Sequence, residues 1–161
     1  DEETYRSRQR DFLHQHFQLA RDAGLNVVIH TRDKEGRASL DDALAIYKEY
    51  HNSVRAVFHC FISTAGNAAR VFELGGIVSF GGVATFKSAK EVRETILSCD
   101  AGSFMLETDA PYLAPEPHRG KRNEPAFISN TASFIANLRS ESLDALASHT
   151  NDTATSFFRL R

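Results

Sequence analysis

Four short apolar runs, each separated from the next by a helix-like stretch, constrain this chain more than any other feature. They are NVVIHTR, RAVFHCF, GIVSFGG and SFMLETDA, at residues 26–32, 55–61, 76–82 and 103–110. Runs of this length rich in Val, Ile and Phe predict strands buried on both faces, the habit of a parallel sheet. Residues 39–50, 65–74 and 87–98, which lie between them, carry helical spacing. A parallel neighbour is reached only through a crossover, so the pattern predicts successive βα units and an α/β fold. A helix over residues 3–23 leads in, with Tyr5, Phe12, Leu13, Phe17 and Ala20 near helical spacing and Gly24 as its stop. Helical pieces at 125–138, 142–149 and 151–160 close the chain. Ser39 is the expected N-cap of the 39–50 helix, with Asp41 and Asp42 at the positive end of its dipole.

The 161 residues suit one domain spanning 1–161, with 42% hydrophobic residues to fill a core. A formal net charge of −2 excludes a global basic field for nucleic acid and leaves room only for a local patch. Cys60 and Cys99 make no disulfide framework and no Cys-rich zinc pattern. No apolar run approaches the roughly 18 residues of a membrane span. The opening DEETYRSRQRD lacks the apolar stretch of a secretory signal. The expectation is a soluble cytoplasmic protein without a membrane partner, nuclear location being open for a eukaryotic source.

Ligands of parallel α/β proteins gather at the carboxyl ends of the strands. Three of the predicted strands end in candidate metal ligands: His30 in HTR, His59 in HCF and Asp109 in ETD. Two neutral imidazoles and a carboxylate suit Zn²⁺ or another first-row divalent ion, and the chemistry that follows is hydrolysis by metal-activated water. Asp109 is the candidate catalytic residue, able to hold the ion and to orient or deprotonate the water. Glu107 lies two residues earlier on the same predicted strand face, either as a partner of the ligands or in an interior ion pair. Arg32 closes the first strand, and Ser63 stands just past the second, where it touches substrate or caps the next helix. His118, Arg119, Lys121 and Arg122 fall within five residues on the loop after Asp109. Guanidinium groups match phosphate oxygens in pairs, so this cluster points to a phosphate-bearing substrate, against the plainer reading of a solvated charged loop.

Other features carry less. His14 and His16 sit two apart in a predicted helix, roughly 200° around its axis, and cannot share an ion. Cys60 and His59 are strand neighbours facing opposite ways, which argues against a Cys–His nucleophile pair. Gly81 and Gly82 lack phosphate-loop spacing and read as a strand-end turn. His51 and His149 are expected at helix ends, where a positive ring suits the dipole.

The succession VVIHTRD, VFHCF, GIVSFGGVATFKSA and MLETDAPYLAPEPHRGKRNEP resembles the TatD family of metal-dependent hydrolases and deoxyribonucleases, through essentially the whole chain. The resemblance implies an amidohydrolase-like TIM (β/α)8 barrel with divalent metal at its C-terminal mouth. It implies magnesium- or manganese-supported nuclease activity, typically 3′-exonucleolytic, zinc also being found in such sites. On that basis His30 and His59 bind one ion, while Asp109 binds a neighbouring ion and serves the attacking water. Arg119, Arg122, Asn123 and Glu124 fall where the family closes one side of its substrate cleft.

Family members also open on a strand bearing an HxH pair and carry a later Glu that bridges two metals. Neither motif is present here, and Asp1, Glu2 and Glu3 do not supply that Glu. Since such barrels take roughly 250 residues, the expectation is an incomplete barrel with its first strands absent. The expected substrate is single-stranded DNA or 3′ ends. The alternatives are a metal-dependent hydrolase of a small-molecule amide, ester or lactone, or a non-catalytic truncated barrel acting as a binding scaffold through its open edge.

Overall fold

The structure, a computed structural model, describes residues 2–33, 36 and 38–160. Helix α1 (Glu2–Ala23) is followed by β1 (Val27–His30), α2 (Ala38–Tyr50), β2 (Ala56–His59), α3 (Ala65–Glu73) and β3 (Ile77–Phe80). Then come α4 (Lys90–Ser98), β4 (Phe104–Leu106), α5 (Ile128–Arg139) and α6 (Leu143–Phe158), with 3-10 turns at Gly82–Thr85 and Pro125–Phe127. The sheet order is β1-β2-β3-β4 with every pair parallel, as the alternation of apolar runs and helices predicts.

Register divides the sheet residues between two faces, because side chains alternate along each strand. Ile29, Phe58, Val78, Phe80 and Phe104 join the main core with residues from the covering helices, including Phe17, Tyr47 and Ile96. The Phe17 ring stacks on Tyr50 and Tyr47, with centroids 5.1 and 5.7 Å away. The Tyr47 hydroxyl accepts from Ala56 N at 3.3 Å, tying α2 to the start of β2. Fully burying each such aromatic contributes roughly 1.5–3 kcal/mol. On the opposite face, Val57, Ile77 and Met105 pack beneath Phe157 of α6. Two residues further along, that same face carries His59, Ser79 and Glu107, so its base is apolar and its carboxyl-end rim is polar.

The local signals hold in most places. Gly24 takes φ +66 after α1, while Leu25 N donates to Ala20 O at 2.8 Å to close the helix end. Glu2 and Glu3 lie in the first turn of α1, and Asp1 is outside the described residues.

Four expectations are corrected. Ser39 does not cap α2, which already includes Ala38; the carboxylate of Asp33 instead accepts from Ser39 N at 3.0 Å and from its hydroxyl at 2.6 Å. The two final helical pieces are one helix, α6, capped by Ser142 accepting from Ala145 N at 3.1 Å. Polar Thr150-Asn151-Asp152 does not break it, since Thr150 and Thr153 hydroxyls donate back to Leu146 O and His149 O while Leu146 and Phe157 anchor its buried face. His149 therefore stands in mid-helix rather than at a terminus. Finally, β4 ends at Leu106, and Asp109 takes φ +55, so Glu107 and Asp109 do not share a strand face.

Candidate functional site

The polar rim of the sheet is built by register. His30 and His59 are paired residues of adjacent parallel strands. Their rings meet with Nδ1 of His30 2.8 Å from Nε2 of His59 and centroids 4.9 Å apart. On its other side, His59 Nδ1 lies 3.3 Å from Oε2 of Glu107. A carboxylate only accepts, so His59 donates its Nδ1 proton to Glu107 and turns the lone pair of Nε2 to His30. Carboxylate-supported imidazoles of this kind are the usual ligands of divalent ions. Ser79, 1% exposed, also donates to Oε2 of Glu107, at 2.5 Å.

Two backbone positions at the rim are left-handed and not glycine, Cys60 at φ +48 and Asp109 at φ +55. Such positions cost energy and cluster at functional sites. The Cys60 thiol is pushed up to about 12 by burial first, then by the carboxylates of Glu107 and Asp109. It stays a thiol at neutral pH, which agrees with the sequence argument against a Cys–His nucleophile pair.

The loop from Ala110 to Glu124 is tied down by Asn123. This residue is 3% exposed, and its side-chain amide donates to Thr108 O and Tyr112 O, each at 2.6 Å. Its backbone N donates to Pro111 O at 3.0 Å, and its Oδ1 accepts from Glu124 N at 2.9 Å. Asn123 was expected to line the substrate cleft. Its amide instead bonds the loop's own backbone, because a buried polar group must be paired. The loop is seated on the 3-10 turn after β3, where Thr85 Oγ1 accepts from Glu116 N at 2.9 Å. Gly82 is there for close approach and not merely for a turn: a Cβ on it would lie 2.2 Å from Leu113 O.

On this platform Arg119, Lys121 and Arg122 are exposed and His118 is half-buried. Arg119 lays its guanidinium 3.7 Å above the Phe86 ring, and His118 stacks on Phe127 at 3.9 Å. Arg119, Lys121 and Arg122 make no ion pair among the described residues. Arg32 is exposed past β1, and Glu124 is exposed at the loop's end. Ser63 does not cap α3. Thr64 does so, accepting from Asn67 N at 3.2 Å, while the Ser63 hydroxyl accepts from the Asn67 amide at 2.8 Å. His14 and His16 are held within or beside α1, by Tyr50 and by Phe12 O respectively, and take no part in the rim.

The structure thus brings His30 and His59 together and adds Glu107. Asp109 approaches near enough to act on Cys60, but no group of three His, Cys, Asp or Glu side chains is gathered for coordination among the described residues. The donor set nonetheless fits a divalent ion. It offers two neutral nitrogens, and Oε1 of Glu107 is buried without a hydrogen-bond partner. Sequence reasoning missed Ser79, whose only signal was one polar residue at an inward position of an apolar run.

Comparison with known proteins places the chain in a family. The TatD-related DNase family matches residues 1–159. The uncharacterized metal-dependent hydrolase YcfH of Escherichia coli K12 is 35% identical over 159 residues, covering 98% of this chain and 58% of the relative. The uncharacterized metal-dependent hydrolase YabD of Bacillus subtilis is 34% identical over 153 residues, covering 94% and 58%. Among solved structures, YJJV, a TatD homolog from Escherichia coli K12, superposes with a TM-score of 0.87 at 26% identity, over 96% of this chain and 58% of that one. The chain therefore spans a little over half the length of these relatives. By sequence and by fold, it belongs to the family of TatD-related DNases.

Proposed function

We propose that this chain carries the imidazole pair and the basic loop of a metal-dependent deoxyribonuclease that removes nucleotides from 3′ ends of DNA. The observation that supports this most is the 2.8 Å approach of His30 and His59 at the carboxyl ends of adjacent strands, backed by Glu107. The family's description as TatD-related DNases and the naming of its relatives as metal-dependent hydrolases favour the same reading. His30 and His59 would hold one divalent ion, with Asp109 serving a neighbouring one. Mg²⁺, Mn²⁺ or Zn²⁺ in such a site supplies Lewis acidity to the scissile phosphate and lowers the pKa of a bound water.

The chain's own side chains do the rest. Glu107 keeps the proton of His59 on Nδ1 and so leaves its Nε2 unprotonated, the form in which an imidazole nitrogen binds a cation. Asp109 accepts a proton from the attacking water at a carboxylate oxygen. Arg119, braced on Phe86, offers N–H groups to phosphate oxygens, and Arg122 and Arg32 add neutralising charge. The Ser63 hydroxyl and Glu124 complete the proposed substrate contacts. A net charge of −2 suits short or single-stranded ends better than long duplex tracking.

The test is release of nucleotides from 3′-labelled single-stranded DNA by the complete protein carrying this chain, with Mg²⁺, Mn²⁺ or EDTA. Metal-dependent release that His59→Ala and Asp109→Ala each abolish is expected. Release that survives EDTA, or none with any metal, would overturn the proposal.

A further inference from the structure

We infer that Ser79 is a positioning residue for the metal site, acting through Glu107 to set which nitrogen of His59 carries its proton. The inference rests on the metal-site reading for its purpose, though not for its geometry. Ser79 stands inside β3, 1% exposed, and belongs to none of the groups expected to touch metal or substrate.

Its hydroxyl has one proton to give. Cys60 N donates to Oγ of Ser79 at 3.3 Å and occupies a lone pair, so the proton is directed to Oε2 of Glu107 at 2.5 Å. That distance is short even for a hydroxyl, as hydrogen bonds to an ionised carboxylate are. The same Oε2 takes Nδ1–H of His59 at 3.3 Å. Two donors thus converge on one oxygen while Oε1 of Glu107 has no partner. The serine bond is the shorter, and with a backbone N–H behind it, it is the fixed end of the chain.

The consequence is a defined tautomer. With Nδ1 protonated, Nε2 of His59 is an acceptor, and the 2.8 Å contact is completed by Nδ1–H of His30. Partners that orient metal-ligating histidines in this way change metal affinity about 10–100-fold when removed.

The test has two readouts on the protein and on Ser79→Ala: ¹⁵N imidazole spectra of His59 without metal, and calorimetric Zn²⁺ titration. The expected result is Nδ1–H in the parent, a drift toward Nε2–H in Ser79→Ala, and Zn²⁺ binding weakened about 10–100-fold. In a Glu107→Gln background the serine change should move the tautomer no further, a coupling that mere packing would not produce. An unchanged tautomer in Ser79→Ala overturns the inference. A shifted tautomer in a parent that binds no Zn²⁺ upholds the positioning role and removes the metal reading instead.

Discussion

Replacing Gly82 with Ala would disturb the seating of the 110–124 loop while leaving the rim histidines untouched. The added Cβ would lie 2.2 Å from Leu113 O, 2.9 Å from Pro115 N and 3.2 Å from Pro115 Cα. All three are backbone atoms, so no rotamer change relieves the overlap. The loop must retreat by roughly 1 Å to recover ordinary contact. Overpacking of this kind costs about 1–3 kcal/mol, and the rigid neighbours place Gly82→Ala at the upper end. A loss near 3 kcal/mol corresponds to a fall in melting temperature of about 6–12 °C for a chain of this size. Gly81→Ala is the matched control. Its nearest contacts, Cγ and O of Glu107, are both at 3.4 Å, so its change should stay within about 1 kcal/mol. Urea and thermal unfolding of the two variants measure the difference, and limited proteolysis reports whether Ala110–Glu124 has come loose. If Gly82→Ala unfolds with Gly81→Ala and its loop stays protected, the loop is not seated as described.

Two further outcomes follow from titratable groups. Glu141 is pushed up by burial, but its hydrogen bonds from Arg139 and His149 outweigh that and hold its carboxyl below the usual glutamate range. A lowered folded pKa gives stability that is present above the unfolded value and lost as pH falls through the folded one. Glu141→Gln should therefore cost about 1.5–3 kcal/mol at neutral pH, and urea midpoints should show the gap closing in acid. A gap independent of pH would contradict it. The Cys60 thiol, raised to about 12, and that of Cys99, raised to about 11 chiefly by burial, should resist iodoacetamide at pH 8 in the folded protein. Rapid alkylation of either, followed by mass spectrometry, would refute this.

The parts of the architecture set by near-sequence pattern were legible. Apolar runs punctuated by helices gave the parallel sheet, and strand-end position placed His30 and His59 on one rim because their strands pair in register. What escaped depended on partners distant in the chain. The need for Gly82 comes from loop backbone some thirty residues later, and the inward turn of Asn123 from carbonyls at Thr108 and Tyr112. Ser79 drew no reading of its own because its partner, Glu107, lies just past the end of the next strand. The continuity of α6 across Thr150-Asn151-Asp152 was hidden because buried Leu146 and Phe157, not local propensity, decide it. Asp109 was assigned to a strand that ends before it, since a positive φ at a non-glycine residue leaves no mark in composition.

The proposed function requires His30 and His59 to form a binding site for a divalent cation. Calorimetric titration of the metal-free protein with Mn²⁺ and Zn²⁺, compared with the His30→Ala/His59→Ala pair, tests it most directly. Saturable binding is expected in the parent, and the double substitution should remove it without altering the melting profile. Equal binding by the two proteins, or none by either, would contradict it.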